Sequence, residues 1–292
     1  MWGVPHTVSL IKSEGIAVKY KKKAANVLLN ILTLLMVLVA IFPLYWLLST
    51  SMKTKADAFA VPFKWLFIPS LDNYADILGS GEFLKCYGNS IIVAVITTVI
   101  ALIFGLTAGY ALSRDTSRFG AAMGTGIILA RMVPPMALII PFFVVFNAIG
   151  LTDNYFTLVL MYLTTVLPFV VWLMMGFFKG VPKDIEEAAL IDGCSRVQAF
   201  LRVSIPVVKP GVATSAMFAF MMAWNEYFYA VIMTGNRTKT LTIYIQSFVN
   251  SSGTNWGLLC AASVLVILPI MIFTIFCQKS FVRGLMGGAV KG

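Results

Sequence analysis

Six stretches of the chain are almost unbroken runs of apolar residues, roughly 27–48, 88–112, 121–146, 156–178, 212–234 and 257–278. Each reaches the length of about 20 residues that a helix needs to cross a bilayer. Four of the six hold no charge, while the third holds Arg131 and the fifth holds Glu226. Pro43, Pro134, Pro135, Pro141, Pro168 and Pro269 fall inside the runs. Membrane helices tolerate such prolines because neighbouring groups satisfy the freed carbonyls, and Pro134-Pro135 predicts a bend in the third span. The pattern predicts an all-α membrane protein with six transmembrane helices.

The polar stretches between the runs orient the chain. Lys and Arg number fifteen in the segments 1–26, 113–120, 179–211 and 279–292, against six in 49–87 and 235–256 and none in 147–155. The positive-inside rule then places both termini and the 179–211 loop in the cytoplasm. An even number of spans agrees, since it returns the chain to its starting side. Residues 1–26 read as a cytoplasmic tail ending in Lys19, Lys21, Lys22 and Lys23. No small-residue cleavage site closely follows Val27–Leu48, so that run reads as a retained helix and not a signal peptide. Residues 49–87, with Trp65, Phe67 and Pro69, read as a small external cap or docking surface.

Composition supports the membrane reading. Of 292 residues, 59% are hydrophobic and 12% charged, with a mean hydropathy of +0.89; soluble domains carry about 25% charged residues. The net charge of +10 would suggest nucleic-acid binding in a soluble protein, but here the basic residues mark the ends of spans. No nucleic-acid partner is expected; membrane lipid is. Cys86, Cys194, Cys260 and Cys277 form no CxxC pair, and His6 is the single histidine. No metal site or disulfide framework is expected.

The 179–211 loop is the informative segment. Pro182 suits a helix start, and Asp184, Glu186 and Glu187 favour a first turn through the helix dipole. Ala188 and Ala189 are small helix formers, and Gly193 stops the helix as a C-terminal glycine. A second short helix over about 195–203 is expected to end at Pro206. The product is a short amphipathic helix lying across the membrane face, with a small-residue patch that admits close approach by another protein.

This segment resembles the EAA loop of bacterial ABC importer permeases: E-A-A, three residues, G, nine residues, then I-x-L-P. Glu187, Ala188, Ala189 and Gly193 match, Asp192 precedes the glycine, and Val203-Ser204-Ile205-Pro206 is a conservative form of the ending. Trp224-Asn225-Glu226-Tyr227, the Arg131 to Pro135 segment and the Gly287 to Gly292 end resemble carbohydrate importers. The similarity is to the six-span second permease subunit of maltose-type systems. The resemblance implies that Glu187, Ala188, Ala189, Asp192, Gly193 and Pro206 couple to an ATPase, the loop helix sitting in a cleft of that subunit. It also implies a second, related permease, two ATPase subunits and an extracytoplasmic solute-binding protein, in a bacterial inner membrane. ATP and Mg belong to the ATPase partner, and no cofactor is expected in this chain. The cargo implied is a sugar or oligosaccharide. A permease of the same superfamily for an amino acid, peptide or phosphate ester is the alternative; it shares the EAA loop but usually lacks the Trp-Asn-Glu segment.

No GxxxxGK[ST], GxSxG or HExxH pattern is present, so no enzymatic site is expected in this chain and ATP binds elsewhere. Arg131, Trp224, Asn225, Glu226 and Tyr227 are candidates for the substrate path. Arg131 and Glu226 read equally well as a mutual ion pair fixing the third and fifth spans. Trp224, Tyr227, Phe228 and Tyr229 either stack on sugar rings or form an interfacial belt, the belt being favoured for Tyr229. Gly105-x-x-x-Gly109 and Gly120-x-x-x-Gly124 are candidate close helix crossings.

Overall fold

A computed structural model describes residues 7–250 and 253–289. It is built almost wholly of helices, joined by one two-stranded antiparallel hairpin, Val249–Asn250 (β1) with Gly253–Thr254 (β2). The helices are α1 (Thr7–Ser51), α2 (Lys55–Ala58), α3 (Asp72–Gly79), α4 (Gly81–Arg114), α5 (Arg118–Ala130), α6 (Pro135–Ala148) and α7 (Tyr155–Lys179). There follow α8 (Lys183–Ile191), α9 (Arg196–Ala199), a π-turn over Phe200–Ser204 and α10 (Ile205–Val207). The chain continues as α11 (Lys209–Trp224), α12 (Phe228–Met233), α13 (Leu241–Gln246) and α14 (Trp256–Ala289).

Four of the six apolar runs are single helices, with spans Asn26–Ser51, Gly81–Arg114, Tyr155–Lys179 and Trp256–Phe276. The third run is not: α5 and α6 meet at 88°. The bend falls at Pro134-Pro135, as the sequence predicts, because neither ring nitrogen can donate to the helical ladder. The fifth run, expected over 212–234, is two helices, α11 and α12, parted at Asn225–Tyr227. No proline accounts for that break. Before it, Arg196–Val207 and α11 meet at 79°.

The second helix of the 179–211 loop also differs from expectation, running on through Pro206 to Val207. The ring at Pro206 would press on the carbonyl four residues back in an ordinary helix. The backbone widens instead, with Ile205 N–H donating to Phe200 O five residues back. The basic stretch ahead of the first span is helical from Thr7. His6 and residues 290–292 lie outside the described residues, so the resemblance at the C-terminal end is traced only to Ala289.

α4 and α7 form the centre of the packing, with α11 against both and α14 against α11. The first glycine pair makes this possible. A Cβ at Gly105 would lie 2.5 Å from Val170 Cγ1, and one at Gly109 would lie 2.9 Å from Met174 Cβ and 3.0 Å from the Met175 nitrogen. α1 packs on α14 but leaves its apolar window unburied within the chain.

The 49–80 segment folds as a cap on one end. Lys53 is fully buried, donating to the Lys64 carbonyl at 2.7 Å with its ammonium 3.3 Å from the Phe63 ring centroid. Asn73 donates to the carbonyls of Ser51 and Lys53, and the Ser70 N–H returns to Met52 O.

Candidate functional site

The EAA segment folds from its own residues as expected. Pro182 precedes the first turn of α8. At the other end Cys194 N–H donates to Ala189 O and Gly193 N–H to Leu190 O, the paired bonds of a Schellman stop. Gly193 has φ +89°, a conformation that disfavours any side chain. Glu187, Ala188, Asp192 and Gly193 are exposed, Ala189 is buried and Pro206 is exposed. Ile185, Leu190, Ile191, Val197 and Leu201 are exposed around them. The face turned away from the bundle is therefore a small-residue helix rimmed by apolar side chains.

Glu186, adjacent to the motif glutamate, points the other way. It is 8% exposed, and its carboxylate accepts from Arg114 Nη2 at 2.6 Å and Nε at 3.0 Å, Tyr110 Oη at 3.0 Å and Ser204 Oγ at 2.8 Å. Arg114 Nη1 also donates to the Phe178 carbonyl at 2.9 Å. Burial opposes the Glu186 charge, but the bonds from Arg114, Ser204 and Tyr110 outweigh it and hold the carboxyl below its ordinary range. Hydrogen bonds to a charged group are worth roughly 1.5–3 kcal/mol each. Sequence reasoning took Glu186 as a first-turn dipole residue. Its partners lie on α4 and the π-turn, and no local spacing announces them.

The substrate-path candidates cluster at the two helix breaks. Arg131 ends α5 and is exposed, with its guanidinium carbon 4.6 Å from the Phe169 ring centroid on α7. Asn225 ends α11, is exposed, and donates to Met221 O. Half-buried Glu226 accepts the Tyr229 N–H at 2.9 Å, so its carboxylate caps the start of α12 and supplies the break that no proline explains. Half-buried Tyr227 packs edge-on against Phe228. Beyond the breaks, α12 packs on α6, so the far halves of both broken helices are neighbours.

Three expectations are corrected here. Arg131 and Glu226 do not pair: the ion pairs among the described residues are Lys64–Asp57, Arg114–Glu186 and Lys239–Glu82. Each finds another partner, a ring for the cation and helix-start amides for the carboxylate. Trp224 does not line an opening. It is 2% exposed, stacked on Phe220, with its indole N–H on Val266 O, because its bulk fills the space between α11 and α14. Tyr229 is no interfacial belt residue; it is fully buried and its hydroxyl accepts from Thr164.

At the opposite end, sequence reasoning missed a polar clamp. Asp153, at φ +53°, accepts from the backbone N–H groups of Gly235, Arg237 and Thr238 and from the Thr238 hydroxyl. Burial works against its charge, yet these four donors prevail and hold its pKa at about 2. Asn89 on α4 donates to the carbonyls of Arg237 and Lys239 and accepts from Tyr155. Among the described residues, no group of His, Cys, Asp and Glu has the arrangement of a metal site.

Known proteins share this architecture. Residues 101–286 match the family described as the binding-protein-dependent transport system inner membrane component. The diacetylchitobiose uptake system permease DasC of Streptomyces coelicolor is 33% identical over 90% of this chain and 96% of its own length. The trehalose transport system permease SugB of Mycobacterium tuberculosis is 34% identical over 90% and 96%. A chain in the crystal structure of a bacterial ABC transporter that imports the acidic polysaccharide alginate superposes with a TM-score of 0.74. It is 26% identical, covering 89% of this chain and 98% of that one. The chain therefore belongs to the binding-protein-dependent inner membrane transport family and is the permease subunit of an ATP-driven ABC importer, with ATP hydrolysis carried by a separate subunit.

Proposed function

We propose that this permease forms half of the transmembrane path for a sugar or oligosaccharide and couples to its ATPase through α8. The observation that carries the coupling is the exposed face of α8, closed by Gly193 at positive φ and rimmed by apolar side chains. Glu187, Ala188, Asp192, Gly193 and Pro206 belong to that docking surface, with Ala189 packed beneath it. The names of the diacetylchitobiose and trehalose relatives support a saccharide cargo. The partners are a second, related permease, two ATPase subunits carrying ATP and Mg, and an extracytoplasmic solute-binding protein. The unburied apolar surface of α1 suits contact with lipid and the second permease. Both termini lie in the cytoplasm, by the excess of basic residues on that side.

The path runs past the two helix breaks. Irregular backbone at membrane depth is tolerated where it is buried in protein or lines a wet cavity, and intramembrane charges cluster along such routes. Arg131, Asn225, Glu226 and Tyr227 flank the route, with Trp224 packed behind it. Reconstituted vesicles holding the whole transporter and its binding protein test both parts. Saccharides should stimulate ATP hydrolysis and be imported; stimulation by amino acids, peptides or phosphate esters alone would overturn the cargo. Gly193→Asp should abolish uptake and release the ATPase from the purified complex, since the side chain is strained at that φ and projects into the docking cleft. Normal uptake in that variant would overturn the role of α8.

A further inference from the structure

Glu186 gathers three donor residues from two elements other than its own. Arg114 and Tyr110 come from the last turns of α4, and Ser204 from the π-turn. Arg114 also holds the end of α7 through the Phe178 carbonyl. Covalently, α8 hangs from α7 by Gly180, Val181 and Pro182, and leaves through Gly193. A short helix held between two such connections is free to pivot about them. A load on its outer face would then turn the helix without moving the spans. The Glu186 carboxylate removes that freedom, because it ties the inner face of α8 to α4, while Arg114 ties α4 to α7.

From this geometry we infer that Glu186 and Arg114 are positioning residues for transport, locking α8 to α4 and α7 so that ATPase closure moves these two spans as one body. The inference rests on α8 being the docking element. The load enters through α4 and α7, whose backbones already meet closely at Gly105 and Gly109. α11 is reached only past the π-turn and the 79° bend, a softer route. Glu186 is thus the inward counterpart of the outward Glu187: one side chain meets the ATPase, its neighbour meets the spans.

The test measures ATP hydrolysed and solute imported in the same vesicles, using the complete transporter with its binding protein. Glu186→Gln keeps the shape of the side chain and removes its charge. The variant complex should retain its ATPase subunits and still hydrolyse ATP, while solute imported per ATP falls about tenfold, within the range of coupling changes along such networks. The double variant Tyr110→Phe with Ser204→Ala leaves the ion pair and removes two donors, and should lower the same ratio about threefold. A residue important for folding alone would reduce the amount of complex and leave the ratio unchanged. An unchanged ratio in assembled Glu186→Gln complexes overturns the inference. Should that variant not assemble, an unchanged ratio in the double variant overturns it instead. Failure of α8 as the docking element reads out separately, as retained ATPase and normal uptake in Gly193→Asp.

Discussion

Asp153 occupies a left-handed conformation and accepts four hydrogen bonds from the 235–238 loop. With a folded pKa of about 2 against an ordinary 3.8, its contribution to stability is complete above the ordinary value. The contribution drains away as pH falls from 4 towards 2, where the unfolded chain binds the proton more tightly. Allowing for partial solvent screening, it amounts to about 1–2 kcal/mol. Asp153→Asn tolerates the same backbone conformation and removes the charge. It should lower the melting temperature of the purified complex at pH 7, with the deficit shrinking below pH 4. A deficit equally large at both pH values would show that the carboxylate charge is not what holds the loop. At this scale the sequence was legible where a residue acts locally. Gly193 announced its positive φ through the motif, and Pro182 its helix start. Asp153 and Glu186 were illegible because their partners lie 82 to 85 and 18 to 76 residues away.

Between elements, the two glycine pairs separate. Gly105 and Gly109 face α7 with no room for a methyl group, since a Cβ at Gly109 would also lie 3.1 Å from the Val171 carbonyl oxygen. At Gly124 a Cβ would meet Met175 Sδ at 3.7 Å, an ordinary contact with a flexible side chain. Gly109→Ala should therefore destabilise the complex by about 1–3 kcal/mol, the cost of overpacking, while Gly124→Ala changes stability little. Thermal unfolding of the two variants side by side checks this, and equal behaviour would refute the close α4–α7 crossing. The sequence presented the two patterns alike, because spacing reports a shared face and not the neighbour opposite it. The broken spans divide the same way. Pro134-Pro135 announced the first break. The second depends on Glu226 turning back to the α12 amides, and in an apolar run a lone glutamate reads as a charge awaiting a partner.

Across the whole molecule, the loops gather at two ends. α8 sits beside the ends of α4 and α7 through Arg114 and Phe178. The 49–80 cap, Asp153 and the 234–241 loop meet at the other end, where Asn73 reaches Ser51 and Lys53, Asn89 reaches Arg237 and Lys239, and Tyr244 reaches Ser80. The hydropathy and charge pattern anticipated this division because it depends on order along the chain, which sequence records directly. The proposed orientation, with the α8 end in the cytoplasm, rests on the basic residues: fifteen lie in segments at the α8 end or in the two termini, against six in the opposite loops. Exposed positions at each end test that choice. With Cys86, Cys194, Cys260 and Cys277 replaced, single cysteines at Arg118 and Arg196 should resist a membrane-impermeant thiol reagent added outside intact cells or spheroplasts. They should react once the membrane is opened. Cysteines at Asp72 and Asn236 should react from outside without opening. All four side chains are exposed, so a failure to react before opening reports the membrane and not burial in this chain. The opened-membrane control identifies any position covered by a partner subunit. External labelling of Arg196→Cys, or protection of Asp72→Cys until the membrane is opened, would invert the molecule and remove α8 from reach of a cytoplasmic ATPase.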